Sequence, residues 1–122
     1  WGAPGLGQHG SMSPHDLHNV LFARGPSFKS SFSVDTPTGN VDIAPTILRI
    51  LGISPDELMD GRNLEEALAG GPAQHSVGRS TDVHEAQRPV DGGVYRQWIT
   101  ISRVGETVYV DEGRAGLYAA GD

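Results

Sequence analysis

The sequence predicts an α/β chain, and three segments carry that prediction. A short apolar run at 20–23 has the character of a strand buried on both faces, and a helical apolar period runs from 41 to 53. Alternating segments at 93–102 and 107–110 pair as an antiparallel hairpin. Length permits a core, since 122 residues bury roughly two thirds of the surface the unfolded chain exposes. Composition limits it. The 17 Gly and 8 Pro take 25 of 122 positions, about a fifth against a usual value of about 12%, so loops and turns dominate.

Residues 1–16 are rich in Gly, Ser and His and lack periodicity, which reads as an irregular loop. Within them, Ser13-Pro14-His15-Asp16 has the form of a helix start, with Ser13 as cap and Pro14 in the first position. Val20-Leu21-Phe22-Ala23 follows as the buried-type strand, ended by Arg24-Gly25-Pro26. The chain from 27 to 40 is again polar and turn-rich. The clearest element is the helix of 41–53. Asp42 is placed to cap it, Pro45 falls in the first turn, and Ile43, Ile47, Leu48, Ile50 and Leu51 recur at helical spacing before Gly52 stops it. Such a helix packs on something apolar. Ser54-Pro55-Asp56-Glu57 opens a further turn or short helix, and another spans 64–68, with Glu65 and Glu66 favouring the positive end of its dipole. The hairpin turns at Val104-Gly105. Residues 76–85 read as a third strand or, within 74–91, as a loose linker, and the tail from 114 reads as frayed.

Nine Lys and Arg against fifteen Asp and Glu give a net charge of −6, which argues against a surface built for nucleic acid or an anionic membrane. The absence of cysteine excludes a disulfide framework, a thiolate metal site and a cysteine nucleophile. No apolar run approaches the roughly 20 residues of a membrane span. The first residues, Trp1-Gly2-Ala3-Pro4-Gly5-Leu6-Gly7, do not form a signal peptide. A start at Trp rather than Met implies a chain that begins after processing, proteolysis or a cut. The compartment stays open.

Three of the five histidines, His9, His15 and His18, fall within ten residues, with Asp16 available as an acceptor for a ring nitrogen. Neutral imidazole suits zinc, yet no local spacing of the His-Glu-x-x-His kind is present, and loop histidines are ordinarily solvated polar groups. His75 and His84 share that bland reading. Ser11 and Ser13 stand near histidines as candidate nucleophiles, but His9-Gly10-Ser11-Met12-Ser13 lacks the second Gly of a nucleophile elbow. Turn and capping roles fit them better. Arg24, Lys29 and Arg49 could meet an anionic substrate, although scattered basic residues on an acidic chain are more often solvated or paired. The Gly-rich start lacks the Lys-Ser/Thr ending and preceding strand of a phosphate-binding loop.

Three blocks in order extend the reading. They are Gly7-Gln8-His9-Gly10-Ser11-Met12-Ser13-Pro14, then His18-Asn19-Val20-Leu21-Phe22-Ala23-Arg24-Gly25-Pro26-Ser27-Phe28-Lys29, then Gly39-Asn40-Val41-Asp42-Ile43-Ala44-Pro45-Thr46-Ile47-Leu48 with Leu51-Gly52-Ile53. This string resembles the C-terminal part of an alkaline-phosphatase-superfamily hydrolase, nearest to the type I phosphodiesterase and nucleotide pyrophosphatase branch and sulfatase-like in the wider sense. Asp60-Gly61-Arg62-Asn63-Leu64-Glu65-Glu66-Ala67-Leu68 fits more weakly, and little resemblance remains from Gly70 onward. The resemblance implies a large α/β sandwich with two zinc ions at the strand ends and a Thr or Ser nucleophile attacking phosphorus. It also implies that residues 1–70 are the end of the catalytic domain and 71–122 a linker and β-hairpin extension.

On that resemblance His9 matches the last metal-ligating His of the family. A rival alignment takes Gln8-His9-Gly10 as an earlier Asp-His-Gly motif with its Asp replaced, but the short distance to Gly25-Pro26 favours the late position. The nucleophile block and the other ligands have no counterpart here. A single imidazole cannot assemble a two-metal site. The expectation is therefore a C-terminal fragment that contributes His9 as its zinc ligand to a parent acting on a phosphate or sulfate ester, and that is inactive alone. Two rivals stand beside it: a non-catalytic module that self-associates through exposed apolar edges, and a stand-alone hydrolase using Ser11 or Ser13.

Overall fold

The computed structural model of the chain describes residues 10–119. Its regular elements are a helical turn α1 (Pro14–Leu17), a helix α2 (Ile43–Leu51) and three strands, β1 (Arg79–Val90), β2 (Gly93–Val104) and β3 (Thr107–Tyr118). Short 3-10 turns occupy Asn40–Asp42, Glu65–Ala67 and Gln74–Ser76. The strands form one sheet in the order β1-β2-β3. Tight connections at Asp91-Gly92 and Gly105-Glu106 make neighbours antiparallel.

The chain divides into two compact units. One comprises Leu21–Ser80 and the hairpin tip Ser102–Tyr109. Its helix α2 begins from the 3-10 turn and tolerates Pro45 in its first turn, where no intrahelical N–H bond is required. It ends at Gly52, whose φ of 68° is left-handed, with the Ile53 N–H donating to the Leu48 carbonyl at 2.9 Å. Pro45 and Thr46 are its buried residues. The Thr46 hydroxyl accepts from the Leu64 N–H at 3.0 Å, which ties α2 to the segment carrying the buried Leu64 and Leu68. Leu68 in turn bridges Phe28, flanked by the bonds Lys29 N–H to Ala67 O (3.0 Å) and Ala69 N–H to Ser27 O (2.8 Å).

The other unit holds, of the described residues, 10–20, Thr81–Ile101 and 110–119. Ser13 caps α1 by accepting from the His15 N–H at 3.3 Å, with Pro14 next, as the sequence predicts. The Gly113 N–H donates to the Met12 carbonyl at 2.7 Å, and a side chain at Gly113 would lie 3.0 Å from Met12. The Arg96 guanidinium stands over the Tyr118 ring at 5.4 Å.

Several expectations change. The run at 20–23 is irregular and exposed, with Phe22 90% accessible, because the sheet is built wholly from residues 79–118 and no strand flanks this segment among the described residues. Ser54 to Glu57 form bends rather than a helix. The linker alternative for 74–91 gives way to a 3-10 turn and the long strand β1, and the tail is paired through Tyr118 because β3 continues as the outer strand beside β2. Asp42 makes no side-chain cap on α2; its carboxylate turns back to the Gly39 N–H at 2.8 Å. The apolar face of α2 is packed only in part: Leu48 and Ile50 are half-buried, while Ile43, Ile47 and Leu51 are exposed. The described residues contain one small antiparallel sheet and few helices, so the larger α/β sandwich is not seen.

Candidate functional site

The densest polar arrangement lies in the unit that carries α2, and it is built from four side chains. Asp42 and Glu66 are almost wholly buried, and Tyr109 is buried beside them. Asp42 Oδ2 accepts from the Gly39 N–H (2.8 Å) and the Tyr109 hydroxyl (2.9 Å), and Oδ1 accepts from the Arg62 N–H (2.8 Å). Arg62 holds Glu66 in a two-pronged pair, Nη1 to Oε2 at 2.9 Å and Nη2 to Oε1 at 2.6 Å. Its Nε donates to the Tyr109 oxygen (3.0 Å), Nη2 to the Pro37 carbonyl (3.1 Å) and Nη1 to the Asn63 carbonyl (3.3 Å). Every donor direction of the guanidinium is used. Arg62 therefore has no fork left for a substrate anion, and Asp42 is buried with three acceptor positions filled from within the chain.

The close approach of two backbones makes this node possible. Gly61 lies against the Val41 carbonyl and 2.8 Å, measured from an added Cβ, from the Asp42 nitrogen. Any side chain at 61 would push the Arg62 N–H away from Asp42.

Charge follows from these contacts. Burial works against the Glu66 carboxylate, but the Arg62 pair outweighs it and holds the group below 4.5. Burial likewise opposes the Arg62 charge, and the contacts with Glu66 and Tyr109 outweigh it, so that group is held above its ordinary value. Burial, followed by donation to Asp42, pushes the Tyr109 phenol up to about 12 from 10.0. A phenol with a higher pKa folded than unfolded contributes its full stabilisation below pH 10 and loses it as the pH climbs to about 12. We expect the absorbance titration of the chain minus that of Tyr109→Phe to show one phenol ionising near pH 12. A difference curve centred near pH 10 would show the Tyr109–Asp42 contact to be absent.

His9 lies outside the described residues. His15 lies within α1 and His18 follows its last residue, His75 sits on a 3-10 turn and His84 on β1, all of them exposed. Asp16, the acceptor expected to steady a ligating imidazole, is taken by the Ser11 hydroxyl. Ser13 is occupied with its cap. Lys29 donates to the carbonyls of Glu66 (2.8 Å) and Pro72 (2.6 Å) and stands over the Phe32 ring, while Arg49 pairs with Glu65 at 2.7 Å. Both basic residues thus serve the chain itself. Arg24 is exposed. A cavity of about 540 Å³ in the sheet-bearing unit brings His84, Glu85, Trp98 and Arg114 to one rim with Met12. No group of three or more His, Cys, Asp or Glu suited to a metal occurs among the described residues, so these residues do not by themselves fit a zinc site. None of the described helices is long and apolar enough to cross a membrane.

Sequence reasoning missed the node. The i, i+4 spacing of Arg62 and Glu66 was a usable signal, but Asp42 and Tyr109 stand 67 residues apart and no local pattern joins them.

No family model and no solved structure matches the chain. Over 70 residues, 52% of this chain, it is 37% identical to an extracellular sulfatase Sulf-1 homolog of Caenorhabditis elegans. The match covers 10% of that protein, so the chain spans only a small part of its relative. The similarity supports at most a likeness to the sulfatase and alkaline-phosphatase-like superfamily. The narrower phosphodiesterase and pyrophosphatase branch has no counterpart among these matches.

Proposed function

We propose that this chain is the C-terminal segment of a metal-dependent hydrolase that cleaves a phosphate or sulfate ester. In this reading His9 supplies one zinc ligand, and the remaining ligands and the Thr or Ser nucleophile come from elsewhere in the parent. Residues 1–70 complete the catalytic domain and 71–122 form its extension. The observation that carries the reading is the 37% identity to a sulfatase homolog over 70 residues, together with the ordered blocks between Gly7 and Ile53. The node of Asp42, Arg62, Glu66 and Tyr109 has a positioning role: buried and with every guanidinium donor used within the chain, it stiffens the segment from α2 to Leu68 rather than touching substrate. Zinc bound with a full ligand set would polarise the ester and stabilise its oxygens.

The 122-residue chain is expected to show no hydrolysis of p-nitrophenyl phosphate, bis-p-nitrophenyl phosphate or p-nitrophenyl sulfate with added zinc. In the full-length parent, His9→Ala should lower turnover by roughly 100-fold or more and reduce bound zinc, while His84→Ala leaves both unchanged. Near-normal turnover and zinc content in the His9 variant would remove His9 from the site.

A further inference from the structure

The sequence holds two Asp-Gly pairs, Asp60-Gly61 and Asp91-Gly92, and the fold treats them in opposite ways. An Asp followed by Gly is open to ring closure, because no Cβ shields the nitrogen that would attack the carboxyl group. We propose that Asp91 is a site of spontaneous isomerisation to isoaspartate, and that Asp60, with the same following residue, is protected by the fold. In the reaction the Gly92 nitrogen bonds to Cγ of Asp91, and loss of one water leaves a cyclic succinimide. Water then adds back at either ring carbonyl. Addition at the former main-chain carbonyl frees it as a carboxylate and routes the backbone through Cβ and Cγ of Asp91, one carbon longer and with the mass unchanged.

Freedom of rotation separates the two pairs. Closure requires the peptide between Asp and Gly to swing about the Asp Cα–C bond, one of the two soft dihedrals of each residue. Asp91 and Gly92 are both exposed in the tight connection from β1 to β2, Gly92 has a left-handed φ of 90°, and nothing lies within 4 Å of an added Cβ there. That peptide can swing into open space. Gly61 instead lies against the Val41 carbonyl, and the next N–H, that of Arg62, donates to Asp42 at 2.8 Å. Asp60 is as exposed as Asp91, so access of water does not distinguish them. The consequence falls on β1, an edge strand whose neighbour in the sheet is β2. Its register rests on the Asp91-Gly92 connection, and an extra backbone carbon there no longer matches the twist of the hairpin. Isomerisation therefore loosens β1 and spares the pairing of β2 with β3.

The test ages the 122-residue chain in neutral buffer at body temperature and maps its peptides, with enzymatic methylation of the new α-carboxylate counting isoaspartate at each pair. In the folded chain isoaspartate should accumulate at 91 at least about tenfold faster than at 60, a barrier difference of about 1.4 kcal/mol. In unfolding urea the two rates should converge, because the contacts that hold Gly61 are gone. Matching rates in the folded chain, no isoaspartate at 91, or a gap that persists in urea would each overturn the proposal. Asp91→Glu, whose longer side chain would have to close a larger ring, should age without forming isoaspartate at 91. Hydrogen exchange then reads the consequence: the aged unsubstituted chain should lose protection along β1 and keep it along β3, while aged Asp91→Glu keeps both. Unchanged protection of β1 in isomerised chain, or equal loss in the Glu variant, would show that the turn does not hold the strand.

Discussion

Arg62→Ala should destabilise the 122-residue chain by about 3–5 kcal/mol, as expected when one partner of a buried ion pair is removed. Glu66, 1% accessible, would be left as a carboxylate without its two-pronged partner, and the Tyr109 oxygen and Pro37 carbonyl would each lose a donor. Since small domains are stable by only about 5–15 kcal/mol, a measurable fraction of the chain would unfold at room temperature. Urea unfolding followed by circular dichroism reads this directly. Arg62→Met combined with Glu66→Leu is expected to recover much of the loss, because the larger part of it is the cost of a stranded charge. If the double variant is as unstable as the sum of the two single ones, the pair does not act as a unit.

Gly61→Ala is the second large effect, about 2–4 kcal/mol, and its cause is steric rather than electrostatic. A methyl group there overlaps the Val41 carbonyl, which is backbone and cannot rotate away. Relief requires the 60–63 segment to lift from 41–42, which breaks the bond from the Arg62 N–H to Asp42. Gly78→Ala is the matched control, since nothing lies within 4 Å of an added Cβ there, and its effect should stay within about 0.5 kcal/mol. A Gly61 variant as stable as the Gly78 one would mean that the two backbones are not held together.

Local chemistry was readable wherever a cap, a stop or a turn decides the structure. Ser13 and Pro14 start α1, Gly52 ends α2, and the hairpin turns where Gly105 allows it. Burial was not readable in the same way. Val20 to Ala23 carry the residues of an inner strand, yet burial on both faces depends on neighbouring strands that the described residues do not provide. The α2 pattern likewise records a face that seeks an apolar surface without saying where that surface is. Asp42 was expected as a helix cap from its position, and its acceptors were instead taken by groups 3, 20 and 67 residues away.

By itself the sequence determined the position of α2, the hairpin, the turns that flank them and a likeness at the level of the alkaline-phosphatase-like superfamily. These follow from spacing and from residue types acting on their near neighbours. Tertiary structure alone decided that Asp42, Arg62, Glu66 and Tyr109 form one saturated buried node, and that the ridge of Ile43, Ile47 and Leu51 faces outward. The physical reason is that a hydrogen bond or a buried face is a property of two surfaces brought together. A one-dimensional pattern specifies each surface and leaves the pairing to the fold.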